Sequence, residues 1–306
     1  MTMKMQTRLG FARNILLVTA LVAAGACTKK AAPPLASPPV TAPGAKPSAG
    51  SVAPPSPSEI DLSMLDEIKR KVFDEVVGHE PSACGKGHSL IDSLKRDPAC
   101  RASFYAVRYI ARLAEAGTPA AEIGEKLEQR FRAPRVPYID VSQAPSKGSP
   151  KGRVTVVEFA DYTCAHCKEA QALMPKLLAD YPKDVTFYFK HYPLGGSVGG
   201  LNAALGAVGA QKQGKFWEFS DKVWENSERL SPAVLESIAK EIGLDFARWY
   251  ADLGAEEIRG HVLRDRTEAR TLGIQRTPAF FINGRKFTDE VDVPNLKDWI
   301  DEELGN

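Results

Sequence analysis

Val154-Thr-Val-Val-Glu-Phe-Ala-Asp-Tyr-Thr-Cys-Ala-His-Cys-Lys-Glu169 is the stretch on which the fold turns. Val154 to Phe159 is β-branched and aromatic around a single acid, which suits a buried strand. From Cys164 to Asp180 the pattern becomes helical, with Leu173, Leu177 and Leu178 facing inward. Val185-Thr-Phe-Tyr-Phe189 returns to strand, so strand, helix and strand follow in order as a βαβ unit. Two cysteines therefore stand where a buried strand gives way to a helix.

Cys-x-x-Cys spacing also supplies half of many zinc sites. No second Cys-x-x-Cys completes one in this chain, and the position at a strand-to-helix turn favours redox chemistry over metal. Unpaired N–H groups and the positive end of the helix dipole stabilise a thiolate on the first cysteine, which makes Cys164 the candidate nucleophile. Cys167 lies on the same helical face one turn deeper, where it can close a disulfide with Cys164 or resolve a mixed one. The intervening His166 can hydrogen-bond to the Cys164 thiolate and, when charged, favour it. A pair stabilised in its dithiol form is an oxidant toward other proteins.

Four blocks then carry a resemblance. Val157-Glu-Phe-Ala-Asp-Tyr-Thr-Cys-Ala-His-Cys-Lys168, Lys190-His-Tyr-Pro-Leu194, Gly214-Lys-Phe-Trp-Glu218 and Thr277-Pro-Ala-Phe-Phe-Ile-Asn-Gly284 resemble the DsbA-like branch of the thioredoxin superfamily, from Val154 to the C-terminus. The resemblance implies a redox-active Cys164–Cys167 disulfide and a cis Pro278 beside it. It also implies substrate binding through the backbone of Thr277, and a buried acid, Glu158, that assists proton transfer at Cys167. On the residues alone, Thr277-Pro278 reads as a turn before a strand and Glu158 as a salt-bridged strand carboxylate. His191 matches a family position and reads as a structural histidine held by a backbone hydrogen bond. Ala165 departs from the proline of the most oxidising members, which bears on the direction of electron flow.

The expected architecture is α/β: a thioredoxin fold with a helical insertion, preceded by a small all-α domain. Leu201 to Leu272 reads as mainly helical, including Phe216 to Trp224 and Pro232 to Ile242. Strands follow at Ala279 to Ile282 and Arg285 to Phe287 around Asn283-Gly284, before a helix near Asn295 to Leu304. The DsbA-like domain thus spans 154–306, with its insertion at about 199–272. Residues 139–153 read as a linker and 59–138 as the helical domain. Within that domain, Leu65, Ile68, Val72, Phe73, Val76 and Val77 form one stripe ended by Gly78. A second helix runs from Cys100 to Ala116 and is stopped by Gly117; Thr118 and Pro119 then cap and start a third carrying Ile123, Leu127 and Phe131. Leu90 to Tyr138 also resembles the three-helix domain of CcmH-like thiol proteins, but lacks their Cys-x-x-Cys, so no redox role carries over.

Residues 1–26 combine Lys4, Arg8 and Arg13 with an apolar run too short to span a bilayer, the pattern of an export signal. Ala24-Gly25-Ala26 before Cys27 resembles a lipobox and implies cleavage and lipidation at Cys27, with plain secretion as the alternative. Residues 27–58, rich in proline and alanine, read as a disordered tether. Of five cysteines, lipidation of Cys27 leaves two pairs, Cys164 with Cys167 and a structural disulfide between Cys84 and Cys100. His79 and His88 flank Cys84, so a metal site and a second redox pair are alternatives to that staple.

Lys and Arg number 40 against 38 Asp and Glu, so no basic field exists to drive nucleic-acid binding. These features together predict an extracytoplasmic thiol:disulfide oxidoreductase of the bacterial cell envelope, on the periplasmic side and lipid-anchored to a membrane. It needs no cofactor or metal and introduces disulfides into exported proteins. Its partners are thiol-containing or disulfide-containing exported proteins and an unidentified membrane redox protein, with no nucleic acid. Reductase and isomerase use the same exchange chemistry. A copper-handling protein using Cys164, Cys167 and a histidine, and a surface-binding module, are the alternatives of another class.

Overall fold

The structure, a computed structural model, describes residues 60–195 and 198–305. The export signal, the tether and Cys27 lie outside the described residues. Helices α1 (Glu67–His79), α2 (Leu90–Arg96), α3 (Arg101–Glu115) and α4 (Ala120–Leu127) come first, followed by a π-helical turn at Glu128–Arg132. Then come β1 (Ser146–Gly148), β2 (Val154–Ala160), α5 (Ala165–Asp180) and β3 (Val185–His191). The helices α6 (Val198–Gln211), α7 (Phe216–Glu225), α8 (Pro232–Glu241), α9 (Phe246–Asp252) and α10 (Glu256–Thr271) follow, with a 3-10 turn at Ser227–Arg229. The chain closes with β4 (Ala279–Ile282), β5 (Arg285–Lys286) and α11 (Val293–Gly305).

The sheet has the order β1-β3-β2-β4-β5. β2 and β3 pair in parallel, and β1, β4 and β5 join antiparallel to their neighbours. This is a thioredoxin fold in which β2–α5–β3 and β4–β5–α11 are the two halves and α6 to α10 form the insertion. Asn283, at φ 47°, and Gly284, at φ 77°, make the two-residue turn from β4 to β5, where left-handed backbone matches the twist of a tight hairpin.

Side chains alternate across a strand, so β2 divides its residues between two cores. Val154, Val156 and Ala160 join Met174 and Leu177 of α5 and Leu296, Trp299 and Ile300 of α11. Val157 and Phe159 face the other way, onto Tyr192, Ala269, Ile274 and Phe281. Residues 139–153 are more than a linker: they supply β1, and Ile139 and Val141 pack onto this second core. A three-residue Ser-Lys-Gly edge strand has no apolar alternation by which it could be read.

The helical segment follows its pattern with three corrections. Asp66 caps α1, its carboxylate accepting from the Lys69 N–H at 2.9 Å, and Phe73, Val76 and Val77 are buried. Ile68 is 76% exposed rather than part of the stripe, because five residues before Phe73 lies about 140° around a helix of 3.6 residues per turn. Gly78 lies inside α1, which ends at His79 as Glu80 becomes extended. Pro119, not Thr118, takes the cap position of α4; the Thr118 N–H instead closes α3 by donating to Leu113 O at 2.9 Å.

Helices α1 to α4 share their own core, centred on Ile110 and Ile123. Arg130, at 0% side-chain exposure, ties this segment to the C-terminal half. It pairs with Asp289 at 2.7 Å and with Asp298 at 3.1 Å, and lies 4.9 Å from the Trp299 ring centroid. Cys84 and Cys100 form a disulfide that ties the loop before α2 to the start of α3.

Candidate active site

Strand alternation turns Glu158 toward α5, and its neighbours across β3 and β4 are Phe189 and Phe280. The acid is completely buried with no ion pair among the described residues; a hydrogen bond from Gln171 Nε2 takes the place of the expected salt bridge. Its Oε1 has no hydrogen-bond partner. Burial, offset in part by Gln171 and reinforced by the charge of Cys164, pushes its carboxyl up to about 8.

Cys164 occupies the N-cap of α5 and is half-buried, whereas Cys167, one turn in, is fully buried; both are free thiols. The Cys167 thiol and the N–H groups of Cys167 and His166 hold Cys164 down at about 5 against its own partial burial. Burial and its proximity to Cys164 and Glu158 push Cys167 far upward. The two sulfurs are thus sharply unlike: one poised as a thiolate, the other held as a thiol.

β4 runs antiparallel to β2 with Ala279 opposite Phe159, which carries the preceding turn to the end of the strand where the cysteines begin. Thr277-Pro278 is a cis peptide, and Cys164 Sγ donates to Thr277 O at 3.3 Å. Cys164, Cys167, Glu158, Thr277 and Pro278 are therefore gathered at one place. His166 is placed there through its backbone N–H, with its imidazole exposed.

His191 departs from expectation. Neither ring nitrogen has a partner, and it is the main-chain N–H of His191 that donates, to Asp265 at 2.9 Å. Its ring lies among Phe189, Phe216 and His261, and burial holds it well below the usual imidazole range. Lys190 points to the opposite face of β3, where it pairs with Asp265 at 3.1 Å and with Glu268, so it cannot neutralise Glu158.

Two residues of the site escaped the sequence reading. Asp161 is buried and accepts from Thr163 N at 2.9 Å, Thr163 Oγ1 at 2.8 Å and Leu194 N at 2.8 Å, while its carbonyl accepts from Cys164 N at 3.0 Å. It fixes the catalytic turn to the chain leaving β3. The Asp-Tyr-Thr spacing is a turn signal, but only folding brings Leu194 to it. Gln171, four residues after Cys167 on the same face of α5, is the other.

Cys84 and Cys100 lie apart in the helical segment, with Cys84 exposed and Ser103 Oγ 3.0 Å from Cys100 Sγ. His79 Nδ1 bonds instead to Glu75 O at 2.8 Å. Among the described residues, no group of three or more His, Cys, Asp or Glu side chains is placed to hold a metal ion. No helix among them is long and apolar enough to cross a membrane.

The thioredoxin family model matches residues 141–302. A probable disulfide bond formation protein D of Bacillus anthracis is 31% identical over 170 residues, which cover 52% of this chain and 77% of that protein. The Na(+)/H(+) antiporter NhaA 3 of Salinispora tropica is 32% identical over 159 residues, 52% of this chain and 24% of that protein. The chain thus spans about a quarter of the length of the antiporter relatives it matches. Oxidised BdbD from Bacillus subtilis superposes with a TM-score of 0.51 at 28% identity, covering 55% of this chain and 96% of that one. With its family match spanning more than half of its length, the chain belongs to the thioredoxin family, in its DsbA-like branch.

Proposed function

We propose that the chain is an extracytoplasmic thiol:disulfide oxidoreductase that introduces disulfides into exported proteins through Cys164 and Cys167. One arrangement supports this reading above others: a half-buried Cys164 held at about 5 beside a buried Cys167 pushed far upward, over a buried acid. A substrate thiolate attacks Cys164 Sγ of the oxidised pair, the disulfide breaks, and Cys167 leaves and takes a proton from Glu158. A second substrate thiolate attacks the substrate sulfur of the mixed disulfide, and Cys164 departs as a stable thiolate, a good leaving group. The reduced pair then passes two electrons to a membrane redox partner. Thr277 and Pro278 border Cys164 and line the place where an extended substrate backbone would lie.

The name of the Bacillus anthracis relative accords with disulfide formation. Export by residues 1–26 and lipid attachment at Cys27 put the enzyme on the periplasmic side of the cell envelope, where disulfides persist. Cys84 and Cys100 act in this reading as a staple of the 59–138 domain. Trapping tests the assignment of Cys164. Cys167→Ala should accumulate mixed disulfides with exported proteins on Cys164, and Cys164→Ala should accumulate none. Equal trapping by both variants would contradict it.

A further inference from the structure

Glu158 is sealed from solvent, yet a residue that touches it also reaches outward. Gln171 stands one turn beyond Cys167 on α5 and donates from Nε2 to Glu158 Oε2. The same side chain lines a cleft of about 430 Å³ together with Lys168, Met174, Pro175 and Trp224. Glu158 does not line this cleft; Gln171 stands between the two. Nor does a lysine or arginine pair with Glu158 among the described residues, so this amide is the group that favours its charged form.

We propose that Gln171 is a positioning residue for thiol exchange: its amide holds the Glu158 carboxylate in the geometry and charge state that exchange a proton with Cys167, and its side chain closes that carboxylate off from the cleft. This rests on the reading of Cys164 and Cys167 as the exchange pair. When the reduced protein meets glutathione disulfide, the Cys164 thiolate attacks one sulfur and releases one glutathione thiolate. Cys167 then gives its proton to the Glu158 carboxylate and attacks Cys164 Sγ, and the second glutathione leaves as a thiolate. The pair has lost two electrons and the glutathione disulfide has gained them. An N–H donated to a carboxylate favours its ionised form; without it, Glu158 holds its proton to higher pH and accepts one from Cys167 less readily.

The test follows both steps by acid quench and mass measurement of the Cys164–glutathione adduct across pH. Gln171→Met keeps the length of the side chain and removes its donor, so the seal over Glu158 remains. Loss of a hydrogen bond to a charged group should slow closure of the disulfide by about tenfold at pH 7 and raise the midpoint of its pH profile by about one pH unit. Formation of the adduct, which depends on Cys164, should stay within about twofold of the parent rate, since the part-buried Gln171 amide lies about two turns along α5 from Cys164. Gln171→Leu provides a second variant should the first not fold. Closure with unchanged rate and midpoint in the folded variant would overturn the role of Gln171. Glu158→Gln separates the two readings: if it slows closure while Gln171→Met does not, the acid stands and Gln171 falls. If adduct never forms on Cys164 in the parent protein, the exchange reading falls with it.

Discussion

Glu158 links the geometry of one residue to the stability of the whole protein. Its carboxyl, ordinarily near 4.5, is raised to about 8 by burial between Phe189 and Phe280. Between those values the folded state keeps a proton that the unfolded chain has released, so folding stability falls as pH rises through this window. Cys164 acts in the opposite sense. Its thiol falls from 9.0 to about 5, so the stability it confers is present above its unfolded value and is lost as pH falls toward 5. Comparing reduced parent protein with Glu158→Gln removes the shared cysteine contribution. Between pH 5 and pH 8 the parent should lose on the order of 3 kcal/mol more than the variant in urea unfolding. Parallel pH profiles would show that Glu158 ionises normally. The acid was legible only through the family resemblance, since on the residues alone it reads as a salt-bridged strand carboxylate; its place on the α5 side of the strand emerges from the fold. Gln171 becomes legible only once the phase of the helix is fixed by Cys167.

At the level of elements, the catalytic turn is pinned to the root of the insertion. Asp161 binds Thr163 and Leu194, and α6 approaches it so closely that a Cβ on Gly200 would lie 2.5 Å from Asp161 Oδ1. Two effects compete in Gly200→Ala. Helix propensity favours alanine by roughly 1 kcal/mol, whereas overpacking against a carboxylate already fixed by hydrogen bonds costs about 1–3 kcal/mol. The clash should win, lowering the melting temperature by several degrees; a rise would show that Asp161 is free to move. Nothing local in Gly199-Gly200 reveals this contact, just as nothing in Ser146-Lys147-Gly148 reveals an edge strand. The βαβ unit and the Asn283-Gly284 hairpin were readable because each rests on residues near in sequence, whereas the caps at Asp66 and Ser231 were not read. Ile68 was misplaced for a different reason: it was grouped with its apolar neighbours although helix phase alone puts it about 140° from Phe73.

Across the whole molecule, a helical segment with its own core is fastened to the thioredoxin fold by charge. Arg130 is buried against Asp289, Asp298 and Glu302, and Arg285 meets Glu302 at 2.9 Å. Nothing in the sequence pairs Arg130 with acids about 160 residues later in the chain; that match exists only after folding. The Cys84–Cys100 disulfide closes a loop with a sequence separation of 16, a restraint worth about 3 kcal/mol in the chain-entropy model. Replacing both by alanine should lower stability by about that amount and leave exchange at Cys164 unchanged. Loss of exchange in a folded double variant would give this pair a part in electron transfer. The central claim concerns the other pair, and its redox potential tests it most directly. Equilibrating Cys164–Cys167 with glutathione buffers should place the pair well above the roughly −270 mV of thioredoxin, toward the roughly −120 mV of a strong disulfide donor. A value at the thioredoxin end would contradict the assignment as an oxidase.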